Sequence, residues 1–104
     1  MNLLTQAIRK QLPPIGSTDG QGGQAIVHCK FFTPDAGWTW YVTEFDQADT
    51  FFGLVVGHET ELGDFSLSEL QQVRGALGLP IERDLHFKPK PLKELRECPP
   101  WLKG

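Results

Sequence analysis

Three runs of strand-forming residues, separated by connections of only five residues, constrain this chain more than any other feature. AIVHCKFF (25–32), WTWYVTEF (38–45) and FFGLVVGH (51–58) are rich in aromatic and β-branched side chains, the types that fit a pleated, half-buried surface. TPDAG and DQADT between them are turn-like and too short for a crossover helix. The three strands must therefore run as an antiparallel meander.

Pairing Phe45 with Phe51 sets a register in which Thr43 faces Gly53, Tyr41 faces Val55 and Thr39 faces Gly57. One face then gathers Trp38, Trp40, Val42, Phe52, Leu54 and Val56, the expected core, joined by Val27, Cys29 and Phe31. A slip of one residue would turn this whole set into water. The second face carries Phe32, Tyr41, Phe45 and Phe51 beside a lane left bare by Gly53 and Gly57. Glycine inside a strand often marks the close approach of another backbone, which makes this face a candidate binding surface. The alternative is that the N-terminal helix covers it.

The flanks complete the fold. Leu4, Ile8 and Leu12 recur on one helical face within residues 1–12, and Pro13-Pro14 ends that helix. The glycine-rich stretch 16–24 is a loop without a phosphate-binding fingerprint, since it lacks a GK[ST] and a preceding strand. In DFSLSEL, Ser66 and Glu69 form a capping box and Phe65 and Leu70 a hydrophobic staple, so a helix is expected over 66–74. Residues 80–87 alternate as a fourth strand, and 88–104 read as an extended C-terminal tail. The expectation is one small α+β domain over residues 1–104, with an antiparallel meander sheet of about four strands and two main helices in the order α-β-β-β-α-β.

Charge is unevenly spread. Residues 31–73 hold Asp35, Glu44, Asp46, Asp49, Glu59, Glu61, Asp64 and Glu69 with no Lys or Arg, whereas 74–104 carry seven basic against four acidic side chains. A pI near 5.5 without a basic stripe argues against direct nucleic-acid binding. The acidic centre suits a partner protein with a basic surface, and it equally suits a solvated face that keeps a small domain soluble. No apolar run approaches membrane-spanning length, and the N-terminus lacks the pattern of a secretory signal. Two cysteines, Cys29 and Cys98, are too few for a disulfide framework, so a cytoplasmic setting is expected.

Chemical motifs are sparse. His58, Glu59, Glu61 and Asp64 cluster after the third strand, and such a set could bind a cation or perform acid–base chemistry in a small hydrolase-like or metal-dependent enzyme. The spacing matches neither an EF-hand loop nor an HExxH helix, and an exposed acidic turn explains it as well. Cys29, Cys98, His28, His58 and His86 lack the ligand spacing of a zinc site. No nucleophile elbow is present, and Cys29 falls in a strand expected to be buried. No catalytic residue, metal or cofactor is expected. Arg83, on the apolar face of its strand, is expected to pair with an acidic neighbour such as Glu44 or else to contact a partner.

KFFTPDAGWTWYVTEFD, FFGLVVGHETELGDFSLSEL and VRGALGLPIERDLHFKPKPL, in this order and spacing, resemble the bacterial family labelled domain of unknown function 2958. The resemblance runs from LLTQAIRKQLPP to Leu92. It implies a cytosolic accessory protein of plasmids and other mobile elements, and it assigns no activity. The expected function is a non-enzymatic protein-binding module for a host or plasmid-encoded partner, in a narrower form an inhibitor of a host defence system. Its expected contacts are Phe32, Tyr41, Phe45, Phe51, Glu59, Glu61 and Arg83. The alternatives are the small enzyme above and a structural subunit of a plasmid-encoded complex.

Overall fold

The computed structural model describes residues 2–103. Helix α1 (Gln6–Gln11) is followed by β1 (Ile26–Val27), β2 (Cys29–Phe32), β3 (Thr39–Phe45), β4 (Thr50–Val56) and β5 (Thr60–Ser66). Helix α2 (Leu67–Gln72), β6 (Glu82–Arg83), β7 (Lys90–Pro91) and α3 (Pro100–Lys103) complete the chain, with 3-10 turns at Gly22–Gln24 and Leu92–Glu94. The fold is α+β. Its main sheet is antiparallel with strand order β5-β4-β3-β2-β6, and β1 pairs with β7 in a small second sheet. The meander thus has one strand more than expected, because residues 60–66 extend the sheet instead of forming an acidic turn.

Phe45 does pair with Phe51, but a bulge between Val42 and Glu44 shifts the rest of the ladder. Val42 faces Gly53, Tyr41 faces Leu54 and Trp40 faces Val55. Thr43 is the extra residue; it is buried, and its hydroxyl donates to the Phe52 carbonyl at 3.0 Å. One inserted residue reverses the alternation on either side of it. Val42 and Phe45 therefore share a face, and the two sides of the sheet each build a core.

The first core joins Cys29, Phe31, Trp40, Val42, Phe45 and Phe51 to Leu3, Leu4, Leu12, Leu70 and Ile81. Its centre is aromatic: Phe51 stacks on Phe45 at 4.5 Å and meets Phe31 edge-on at 5.6 Å. Helix α1 and its flanks cover this side. Thr5 caps the helix by accepting from the Ile8 amide, and the carbonyl of Pro13, the first of the proline pair, accepts the Phe45 amide at 2.9 Å. Ser66 caps α2 by accepting from the Glu69 amide, as its sequence signature indicated.

The second core contains Ala25, Val27, Tyr41 and Leu54, closed over by Leu92, Leu95, Cys98 and Leu102. The expected extended tail is thus a folded lid: a short strand, a 3-10 turn and a helix of four residues lying across the sheet. Val27 belongs here and not with Cys29 and Phe31.

The loop 16–24 also has a structural task. Glu44 is 1% exposed, and its carboxylate accepts from the Gly16 and Thr18 amides at 2.8 Å each, and from the Thr18 hydroxyl. Burial pushes the Glu44 pKa up, but the three donors outweigh it and hold the carboxyl below its ordinary 4.5. A depressed folded-state pKa contributes stability above the unfolded value, which is lost as pH falls through the folded one. Glu44→Gln is expected to cost about 2–3 kcal/mol at neutral pH, because a loop amide loses its charged acceptor. Urea titrations at pH 7 and pH 3 check this: the gap between wild type and variant should shrink at the lower pH.

Candidate functional site

The structure distributes the expected contact residues very differently from one continuous face. Phe45 and Phe51 are 0% exposed in the first core, and Tyr41 lies buried beneath the C-terminal lid. None of the three can meet a partner in the folded protein. The glycine lane is filled by the chain itself: a β carbon at Gly53 would collide with the Tyr41 carbonyl, and one at Gly57 with the Trp38 ring. Phe32 is half-buried beside Glu82, Arg83 and Leu85. Arg83 does not pair with Glu44. It lies level with Phe31 and, across it, Trp40, and its guanidinium donates to the Asn2 and Leu3 carbonyls at 2.6 and 2.9 Å. Arg83 thereby clamps the segment leading into α1.

A cleft of about 420 Å³ opens where the C-terminal lid meets β2 and β6, lined among others by Lys30, Tyr41, Asp84, His86, Phe87 and Glu97. The Tyr41 hydroxyl donates to Glu97 at 2.7 Å, and the Lys30 ammonium stands 3.9 Å from Asp84 and 5.7 Å from the Tyr41 ring centre. Burial, then the hydrogen bond to Glu97, then the charges of Glu97 and Asp84 raise the Tyr41 pKa, so its hydroxyl stays a donor. These groups serve one another and seam the lid to the sheet. Cys29 is equally inert: burial pushes its thiol up to about 12, opposed in part by the Arg83 charge.

What remains open is the far edge of the main sheet. Glu59, Glu61 and Asp64 are exposed, the first in the turn leading into β5 and the other two on it. His58 rests edge-on against Trp38 at 5.5 Å. Among the described residues, no group of three or more His, Cys, Asp or Glu is placed to hold a metal ion. Strand β5 pairs with β4 through seven consecutive residues without a shift, from Thr50 opposite Ser66 to Val56 opposite Thr60.

Hydrogen bonds beyond the two ends of this ladder fix its phase. The Leu67 amide donates to the Asp49 carbonyl, and the Gly57 amide to the Glu59 carbonyl. Hydrogen-bonded pairs alternate along an antiparallel ladder, so Glu61, Gly63 and Phe65 direct their amides and carbonyls at β4. Those of Thr60, Leu62 and Asp64 point outward. The alternation also places Glu61 on the face of Phe65 and Asp64 on the face of Leu62. Sequence reasoning singled out Glu59 and Glu61 but missed the strand that presents them. TELGDFS does alternate weakly, and the three residues Gly57 to Glu59 make a hairpin-length connection.

No curated protein and no solved structure matches the chain. The family described as protein of unknown function DUF2958 matches residues 3–96, which takes in every element from α1 through the turn at Leu92–Glu94. The chain belongs to that family.

Proposed function

We propose that this protein is a non-enzymatic, protein-binding module whose binding surface is the acidic edge formed by β5 and the turn before it. One observation carries the proposal. Among the described residues, the seven-residue strand β5 ends the sheet with no strand beyond it, inside a 43-residue stretch (31–73) that contains no Lys or Arg. Such an edge favours a partner with a basic surface and repels acidic ones. The partner is a host or plasmid-encoded protein, in keeping with the cytosolic, mobile-element setting that the family resemblance implies. In the narrower form, it is a defence component whose basic ligand-binding site becomes occupied.

Reversing the charge at Glu59, Glu61 and Asp64 together tests this. All three side chains are exposed, so each substitution by Lys is expected to change stability by no more than about 0.5 kcal/mol. In nuclease-treated extract of the native host, the wild type should retain a protein partner that weakens as salt rises, and the triple variant should lose it. Equal retention by both forms would overturn the assignment.

A further inference from the structure

We propose that the occupant of this edge is an extended, Lys/Arg-rich segment of the partner, which joins β5 as a sixth strand of the main sheet. The inference rests on the proposed protein-binding role of the acidic edge and specifies how that edge is used.

The two borders of the sheet are unlike. β6 contributes only two residues, and its Arg83 is tied to the N-terminal segment, so it offers little to pair with. β5 offers seven residues in unbroken register. Long bare edges are a liability that proteins usually blunt with charged side chains (lysine above all), bulges, prolines, short strands or a covering element. β5 has no bulge, no proline and no lysine, and its only such protection is the negative charge of Glu61 and Asp64; among the described residues no further strand pairs with it. The outward amides and carbonyls of Thr60, Leu62 and Asp64 form a ready half-ladder, the basis of recognition by strand addition.

Charge selects what can be added. An incoming strand would meet Glu61 on one face of the sheet and Asp64 on the other, with Glu59 at its end. Opposite charges across a strand pair stabilise and like charges destabilise. A second copy pairing through its own β5 would set these carboxylates against one another, whereas a Lys/Arg-bearing segment would neutralise them.

Gly63 provides an independent sign. Glycine weakens a strand interior, yet a β carbon at Gly63 would touch nothing within 4 Å, so internal packing does not require it. Its residue lies between the outward-facing Leu62 and Asp64. A neighbour placed there would form a pair without hydrogen bonds, in which side chains come closest, and the bare position leaves room for the stem of a long basic side chain.

The test is an amide-resolved NMR titration of the full chain with three synthetic peptides of ten residues. One repeats Lys-Lys-Thr-Thr, which puts lysines on both faces of an added strand, a second has the same sequence with every backbone amide N-methylated, and a third repeats Glu-Glu-Thr-Thr. The Lys peptide should bind and slow hydrogen exchange at Thr60, Leu62 and Asp64. The methylated peptide should bind at least about tenfold more weakly, the equivalent of one lost hydrogen bond, and the Glu peptide should not bind. Equal binding of the two Lys peptides would overturn strand addition while leaving the acidic edge as a protein-binding surface. No binding by any peptide, together with partner retention by the charge-reversed variant, would overturn both. Sedimentation of the free chain as a dimer with Leu62 and Asp64 already protected would make the occupant a second copy.

Discussion

Removing residues 92–104 is expected to leave a chain that does not fold. Leu92, Leu95 and Leu102 are buried against Val27, Tyr41 and Leu54. Burying a leucine side chain is worth about 2 kcal/mol, so the three contribute about 6 kcal/mol. That is comparable to the whole stability of a small domain, about 5–15 kcal/mol. The deletion would also bare an apolar sheet face and remove the Glu97 acceptor of the Tyr41 hydroxyl. Circular dichroism and a thermal melt should show no cooperative transition. Trp101→Ala serves as the control, because Trp101 is 60% exposed and its loss should cost no more than about 0.5 kcal/mol. A truncated chain melting within a few degrees of the full one would mean that the second core is not a core.

Phe51→Ala should destabilise the protein by about 4 kcal/mol. Its ring lies within 6 Å of three other phenylalanines: Phe45 at 4.5 Å, Phe65 at 5.4 Å and Phe31 at 5.6 Å. The cavity left behind cannot collapse easily, since its walls come from three different strands and cores pack at crystal-like density. Urea denaturation at constant m-value reads the loss directly. The same substitution on a free binding face would leave stability nearly unchanged, so a shift below about 1 kcal/mol would return Phe51 to the surface.

Both experiments bear on the two places where local pattern and structure part company. The aromatic runs, their antiparallel order, the Phe45–Phe51 pairing and the Ser66 cap were legible, because turn length, side-chain type and capping chemistry act over a few residues. The bulge at Thr43 was not. A bulge leaves almost no local signature, yet it moves Phe45 across the sheet and so decides which aromatic residues are core. Strand alternation gathers Trp38, Trp40, Val42, Phe52, Leu54 and Val56 on one expected core face and leaves cover of the other by the N-terminal helix as an alternative. Here both faces are covered, α1 lying on one and residues 92–103 on the other. Leu92, Leu95 and Leu102 follow no single period, and their burial depends on long-range packing against β3 and β4.

The candidate site shows the same division. The acidity of residues 31–73 is plain from composition, and Glu59 and Glu61 followed from it. That they flank an open ladder follows only from β5 pairing with β4, because TELGDFS places one apolar residue on each face. Arg83 stands out in the sequence as a charge on the apolar face of its strand. Its partners, the carbonyls of Asn2 and Leu3, are about 80 residues away in the chain and leave no trace in local sequence.

Amide hydrogen exchange along residues 60–66 of the free protein tests the central claim most directly. With β5 as an open edge strand in the register found here, Glu61, Gly63 and Phe65 should be protected, whereas Thr60, Leu62 and Asp64 should exchange at rates close to those of an unstructured chain. Strong protection of Leu62 and Asp64 in the monomer would show that the edge is already occupied. It would contradict a binding function based on its being free.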